Sequence, residues 1–234
     1  MISEPVFGEG LYAQPLAVVR SPRARRMGLA IDARGRVRLT LPPRAPLAPA
    51  YAWAESKRGW IEAQLAKVPA GTAIVPGMTI SAGGVPVMLE WSPSHPRNPH
   101  KQDGRLLVGG PLEMVAPRVL RWLQREAKAL LTLETHDFAV KAGVSIASVG
   151  IGDPMSRWGS CASSGAIRYS WRLYLAPDFV RRATVAHEVA HRVHMDHSPR
   201  FHALVATLLG VDPKPARIWL RANAGSLHGF GRAA

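Results

Sequence analysis

The run His187-Glu188-Val189-Ala190-His191 constrains this chain of 234 residues more than any other stretch. On a helix, positions i and i+4 share one face, so both imidazoles can reach a single ion while the carboxylate between them stays beside it. The chain must therefore hold these residues helical, with one side packed and the other facing a site. The flanks agree. Asp178 follows Pro177 and can cap the free N–H groups of a helix start. Phe179, Val180, Ala183, Ala186, Ala190 and Val193 recur at helical spacing. A helix is expected from Asp178 to about Met195, then a second one opened by Ser198-Pro199 and stopped by Gly210.

Two histidines do not complete a catalytic metal site, and three more lie within reach in sequence. His194 is seven residues past His187, about 10 Å along a helix axis, too far for one ion. His202 falls inside the second helix. His197 stands at the turn, where the chain can fold back over the first helix, and is the favoured third ligand. Zinc suits such a site, one ion per chain, because it accepts nitrogen ligands, keeps a position open and makes water acidic. Glu188 is then the general base.

These residues resemble a family, the YgjP-like predicted metal-dependent hydrolases, relatives of the SprT-like zinc metallopeptidases. The pattern is H-E-x-x-H, five residues, then H-S-x-x-F, here His197-Ser198-Pro199-Arg200-Phe201. The R-W-G-S-C box is present as Arg157-Trp158-Gly159-Ser160-Cys161, followed by Ser170-Trp171-Arg172-Leu173 and Ala176-Pro177. Arg20 to Trp60 also looks like the family's N-terminal part, so the resemblance covers most of the chain. His202 stands where the family usually has Trp. The resemblance implies a zincin-like metallopeptidase domain acting on a protein or peptide substrate.

Composition bounds the rest. With 47% hydrophobic residues the chain can bury a real core. A single cysteine excludes an internal disulfide and fits a reducing, cytoplasmic setting. The N-terminus lacks a basic-then-apolar leader pattern, and no apolar run approaches a membrane span. The net charge of +14 suits nucleic acid or another polyanion as partner, and equally follows from an Arg-rich composition. Its densest run is Arg20-Ser21-Pro22-Arg23-Ala24-Arg25-Arg26, where Arg23, Arg25 and Arg26 could grip a polyanion or stand in a solvated loop.

Along the chain, residues 1 to 14 read as a loose arm. Short strands are expected at 16–20, 27–31 and 37–41, with a turn at Asp32-Ala33-Arg34-Gly35. Residues 49–68 read as one helix packing Ala52, Trp53, Trp60, Ile61 and Leu65. Glycine-punctuated strands fill 72–91, an exposed loop 92–104, and a short strand 105–108. A long helix from Pro117 ends at Gly143. Strands follow at 145–151, 157–162 and 166–175. This gives an α+β chain of two parts: a β-rich N-terminal part with one helix at 1–110, and a zincin-like domain at 111–234. The latter holds the metal-binding helix, a long supporting helix and a small antiparallel sheet.

Around the metal, Arg157, Trp158, Tyr169 and Arg172 are candidates for binding substrate or a transition-state oxyanion. Cys161 reads as a buried thiol, a further ligand or a nucleophile. Two other functions stay open: hydrolysis of a nucleotide phosphoanhydride at the same centre, and a nucleic-acid-associated module with a structural zinc held by four protein ligands, His202 or Cys161 being the fourth.

Overall fold

The computed structural model describes residues 5–7, 14–32, 35–68 and 70–232. Most of the expected N-terminal arm, and Ala33 and Arg34 of the expected turn, lie outside the described residues. The chain divides into two compact units, 1–70 and 71–234.

In the first unit, β1 (Val6–Phe7) pairs antiparallel with β2 (Gln14–Pro15). A three-stranded sheet orders β3 (Ala17–Arg20), β5 (Val37–Leu41) and β4 (Gly28–Ile31), with β5 in the centre. Val37, Leu39 and Leu41 are buried while Arg38 is exposed, the alternation of a strand with one face on a core. The single helix expected over 49–68 is two, α1 (Leu47–Glu55) and α2 (Arg58–Leu65). The Ser56 hydroxyl donates to the Trp53 carbonyl at the break. The break cancels the seven-residue alignment of the two tryptophans: Trp53 packs against the core, whereas Trp60 is 48% exposed.

In the second unit, β6 (Thr79–Ala82), β7 (Val85–Trp91), β9 (Arg105–Val108) and β8 (His100–Gln102) form a four-stranded sheet in that order. The strand β8 lies within the stretch expected to be loop. This sheet shares one core with the long helix α3 (Val115–Ala142), where Ile80, Leu89 and Leu106 join Val119, Leu123, Leu131 and Phe138. Gly143 ends α3 with φ 65°, a left-handed cap that glycine adopts without strain.

The third sheet orders β10 (Ser148–Gly152), β12 (Ala166–Ser170) and β11 (Gly159–Cys161). It is mixed, not antiparallel as expected: β11 and β12 form a hairpin, but β10 runs parallel to β12 because β11 occupies the other edge. The strand expected to reach Leu175 stops at Ser170. Residues Trp171–Leu175 form a 3-10 turn that buries all five side chains, and the Ser170 hydroxyl caps it by accepting from Arg172 N–H. Consecutive burial is incompatible with a strand facing solvent on one side.

Three helices complete the unit: α4 (Asp178–Ala190), α5 (Pro199–Leu209) and α6 (Lys214–Gly229). The helix α4 stops short of Met195, since Arg192 and Val193 N–H tighten onto Val189 and Ala190 carbonyls. Asp178 is its first residue rather than its cap, and its carboxylate meets Arg181 at 2.9 Å. Arg181 in turn makes two hydrogen bonds of 3.0 Å to Glu134 of α3, both groups buried. The ion pair ties α4 to α3.

Candidate metal centre

His187 lies in the last turn of α4 and His191 caps it in right-handed helical conformation, so the i, i+4 spacing survives the early helix end. The turn after α4 returns His197 to them. Asp196 accepts a hydrogen bond from Ser198 N–H and fixes that turn. Ser198 caps α5 by accepting from Phe201 N–H. Phe201 is fully buried, with its ring 4.8, 4.5 and 4.9 Å from the rings of His187, His191 and His197. One side chain thus supports all three imidazoles.

Ligand nitrogens of the three histidines lie within 4.8 Å of one another, and Nε2 of His187 and His197 are 3.3 Å apart. Nitrogens on a tetrahedral zinc, at ~2.0–2.1 Å from it, stand about 3.3–3.4 Å apart, so the His187–His197 pair is already at that spacing and His191 is close enough to close on the same ion. His191 Nδ1 is 3.0 Å from the His194 carbonyl. A carbonyl only accepts, so Nδ1 carries the proton and Nε2 keeps its lone pair for a metal. Burial, then the neighbouring His191 and His197, push His187 down to about 4, and burial lowers His191 as well. Neutral imidazoles are what a metal requires.

Glu188 is 5% exposed. Burial pushes its carboxyl up to about 7, with the Arg157 guanidinium opposing. Gly159 of β11 abuts it: a Cβ there would lie 2.5 Å from Glu188 Oε1 and 2.6 Å from Cγ.

A cleft of about 270 Å³ opens beside His187 and Glu188. Ala183, Val205, Ala216 and Leu220 give it an apolar floor; Arg157, Trp158, His202 and Arg217 also line it. Trp158 is held by stacking on His228, 4.8 Å between ring centroids. Of the expected substrate residues, Arg157 and Trp158 reach this cleft and two do not. Tyr169 is buried, its hydroxyl 3.0 Å from that of Thr135. Arg172 is buried and spent on Asp153 and the carbonyls of Leu227 and Phe230. Both hold the scaffold.

Among the described residues no fourth group joins the three histidines. His202 stands 6.2 Å from His197, ring to ring, and Cys161 is half-buried with its thiol pushed up by burial. In the other unit, Arg23, Arg25 and Arg26 are exposed in the turn between β3 and β4, whereas Arg20 donates to the carbonyls of Pro42, Pro43 and Ala45.

Sequence reasoning missed Gly159, Arg217 and the whole of α6. A signal was present for α6: Asp212-Pro213-Lys214-Pro215 is a helix opening, and Asp212 does accept from Lys214 N–H. For Gly159, only its place inside the R-W-G-S-C box marked it.

No curated protein and no solved structure gives a significant match to the sequence. The family model of the YgjP-like metallopeptidase domain matches residues 25–223. With that match covering most of its length and three histidines gathered where a metal fits, the chain belongs to the YgjP-like metallopeptidase family.

Proposed function

We propose that this protein is a zinc metallopeptidase of zincin-like design, with His187, His191 and His197 as ligands and Glu188 as general base. The observation that carries the reading is the pairing of three converging imidazoles with a buried carboxylate one residue from the first of them. Zinc bound there would supply Lewis acidity towards a carbonyl and would lower the pKa of water. Glu188 accepts the proton of the attacking water and delivers it to the leaving amine. Burial raises this carboxyl to about 7 in the metal-free protein, and the charge of a bound zinc would lower it towards the base form that the attacking water needs. The edge strand β11 offers main-chain groups to an extended peptide by strand addition. Three protein ligands, rather than four, leave a coordination position for the reaction.

One observation favours a second reading, hydrolysis of a nucleotide phosphoanhydride. Arg157 and Arg217 line the cleft, and neither forms an ion pair among the described residues. The deciding experiment offers an unstructured protein and nucleoside triphosphates to the wild type and to Glu188→Gln. The variant should keep its zinc and lose ~10²–10⁴-fold in peptide hydrolysis. Undiminished turnover removes the mechanism, and turnover of triphosphates alone moves the protein to the second class.

A further inference from the structure

The cleft beside the metal centre is built in two chemical zones. Its floor, from Ala183, Val205, Ala216 and Leu220, carries no charge. Its cations, Arg157 and Arg217, are exposed residues from two separate segments, one before β11 and one on α6. Both line the same cleft as Glu188 and His187. At about 270 Å³ the cleft falls just below the ~300–1,000 Å³ of typical small-molecule sites, which suits one side chain.

Those zones specify an occupant. An acidic side chain would bury its carboxylate on the apolar floor, without a partner, at a large desolvation cost. An apolar side chain fills the floor, and the negative charge must then sit at the level of the main chain, beside the scissile bond. The group that places an anion there is a free C-terminal carboxylate. We propose that Arg157 and Arg217 hold the C-terminal carboxylate of a substrate whose last, apolar side chain fills this cleft, so that the enzyme removes single residues from peptide C-termini. The proposal rests on the peptidase reading above. Water adds across the last peptide bond, the C–N bond breaks, and the released amino acid takes the proton carried by Glu188. Guanidinium–carboxylate hydrogen bonds are short and geometrically selective, which makes the end of the chain a recognition element rather than a passive terminus.

Binding and cleavage are tested separately. The binding arm uses full-length, zinc-loaded Glu188→Gln protein and calorimetry, with N-blocked dipeptides ending in Leu as the free acid, in Leu as the amide, and in Asp as the amide. A nucleoside triphosphate serves as competitor. The Leu acid should bind at least ~10-fold tighter than either amide. The acid-to-amide ratio should fall towards one in Arg157→Ala and in Arg217→Ala, and should recover in part in the Lys variants. Equal affinity for acid and amide overturns the proposal, as does Asp-amide binding as well as Leu acid. Displacement of the Leu acid by a tighter-binding triphosphate assigns the arginines to phosphate and also overturns it. The cleavage arm uses the wild type, an N-blocked hexapeptide ending in Leu as the free acid and as the amide, and mass spectrometry of products. Release of the terminal Leu supports the full proposal. Internal cleavage with no preference for the acid removes the subsite and keeps the peptidase reading. A strong acid preference in binding with no peptide cleaved keeps the carboxylate seat and removes the peptidase reading.

Discussion

The carboxyl of Glu188 occupies the space that a side chain at position 159 would need: a Cβ on Gly159 would stand 2.5 Å from Oε1 and 2.7 Å from Cδ. The contact lies between an edge strand and the metal-site helix, so it fixes where the base can sit relative to the triad. Gly159→Ala must displace the carboxyl, while the histidines and their Phe201 support are untouched. The variant should keep its metal, lose about 1–3 kcal/mol of stability from overpacking, and lose at least ~10-fold in kcat/KM. Metal analysis, a denaturant melt and a peptide assay on one preparation check all three. Full activity would show that Glu188 does not need this position.

Metal content tests the ligand assignment. Purified protein should hold about one zinc per chain by elemental analysis. His187→Ala, His191→Ala and His197→Ala should each weaken binding by more than the ~10–100-fold that an outer partner contributes. His202→Ala should retain zinc, since its ring is outside the group of converging nitrogens. Zinc lost in His202→Ala and kept in His197→Ala would reverse the assignment.

The metal-free protein should show two opposing pH dependences. Glu188 rises from its ordinary 4.5 to about 7 on folding, so between those values the folded chain holds a proton that the unfolded chain has released. Stability from this group falls as pH rises through that window. His187 drops from 6.5 to about 4, so between those values the unfolded chain holds the extra proton and stability rises with pH. Glu188→Gln removes only the first effect. Its thermal midpoint, relative to the wild type, should climb from about pH 4.5 to 7 and then level off. A difference that is flat across this range would mean that the carboxyl is not buried as a neutral acid.

The Arg181–Glu134 pair is fully desolvated, at 3% and 4% exposure. Arg181→Ala leaves the Glu134 carboxylate without its two hydrogen bonds and should cost about 3–5 kcal/mol by denaturant unfolding. Joint replacement by Arg181→Met and Glu134→Leu should cost far less, because no buried uncompensated charge remains and Asp178, which loses Arg181, is solvent-exposed. Equal losses in the single and double variants would show that the pair contributes by shape alone.

Much of the site was legible along the chain because its parts are local. His187, Glu188 and His191 share one helical turn, and the Ser198 cap and Gly210 stop of α5 came out as the residue types dictate. His197, ten residues from His187, comes beside the first two histidines for the same reason of locality. Positions read from composition alone fared differently. Tyr169 and Arg172 are polar groups near the metal in sequence, and the fold turns both inward to bond Thr135 and Asp153. The Trp53–Trp60 alignment assumed an unbroken helix, and the chain breaks between Glu55 and Arg58.

By itself, then, the sequence determined the helical turn that carries His187, Glu188 and His191, the cap and stop of α5 and the long helix α3, since each depends on periodicity or on capping over a few residues. Tertiary structure alone decided that Gly159 clears space for Glu188, that Phe201 supports all three imidazoles, and that Arg217, thirty residues beyond His187, faces the same cleft. It also made the third sheet mixed, by placing β11 and β10 on opposite edges of β12. The physical reason is common to all of these. Each depends on the path of a distant segment in three dimensions, and the free energy that selects this path is the burial of a shared core, which no local pattern encodes.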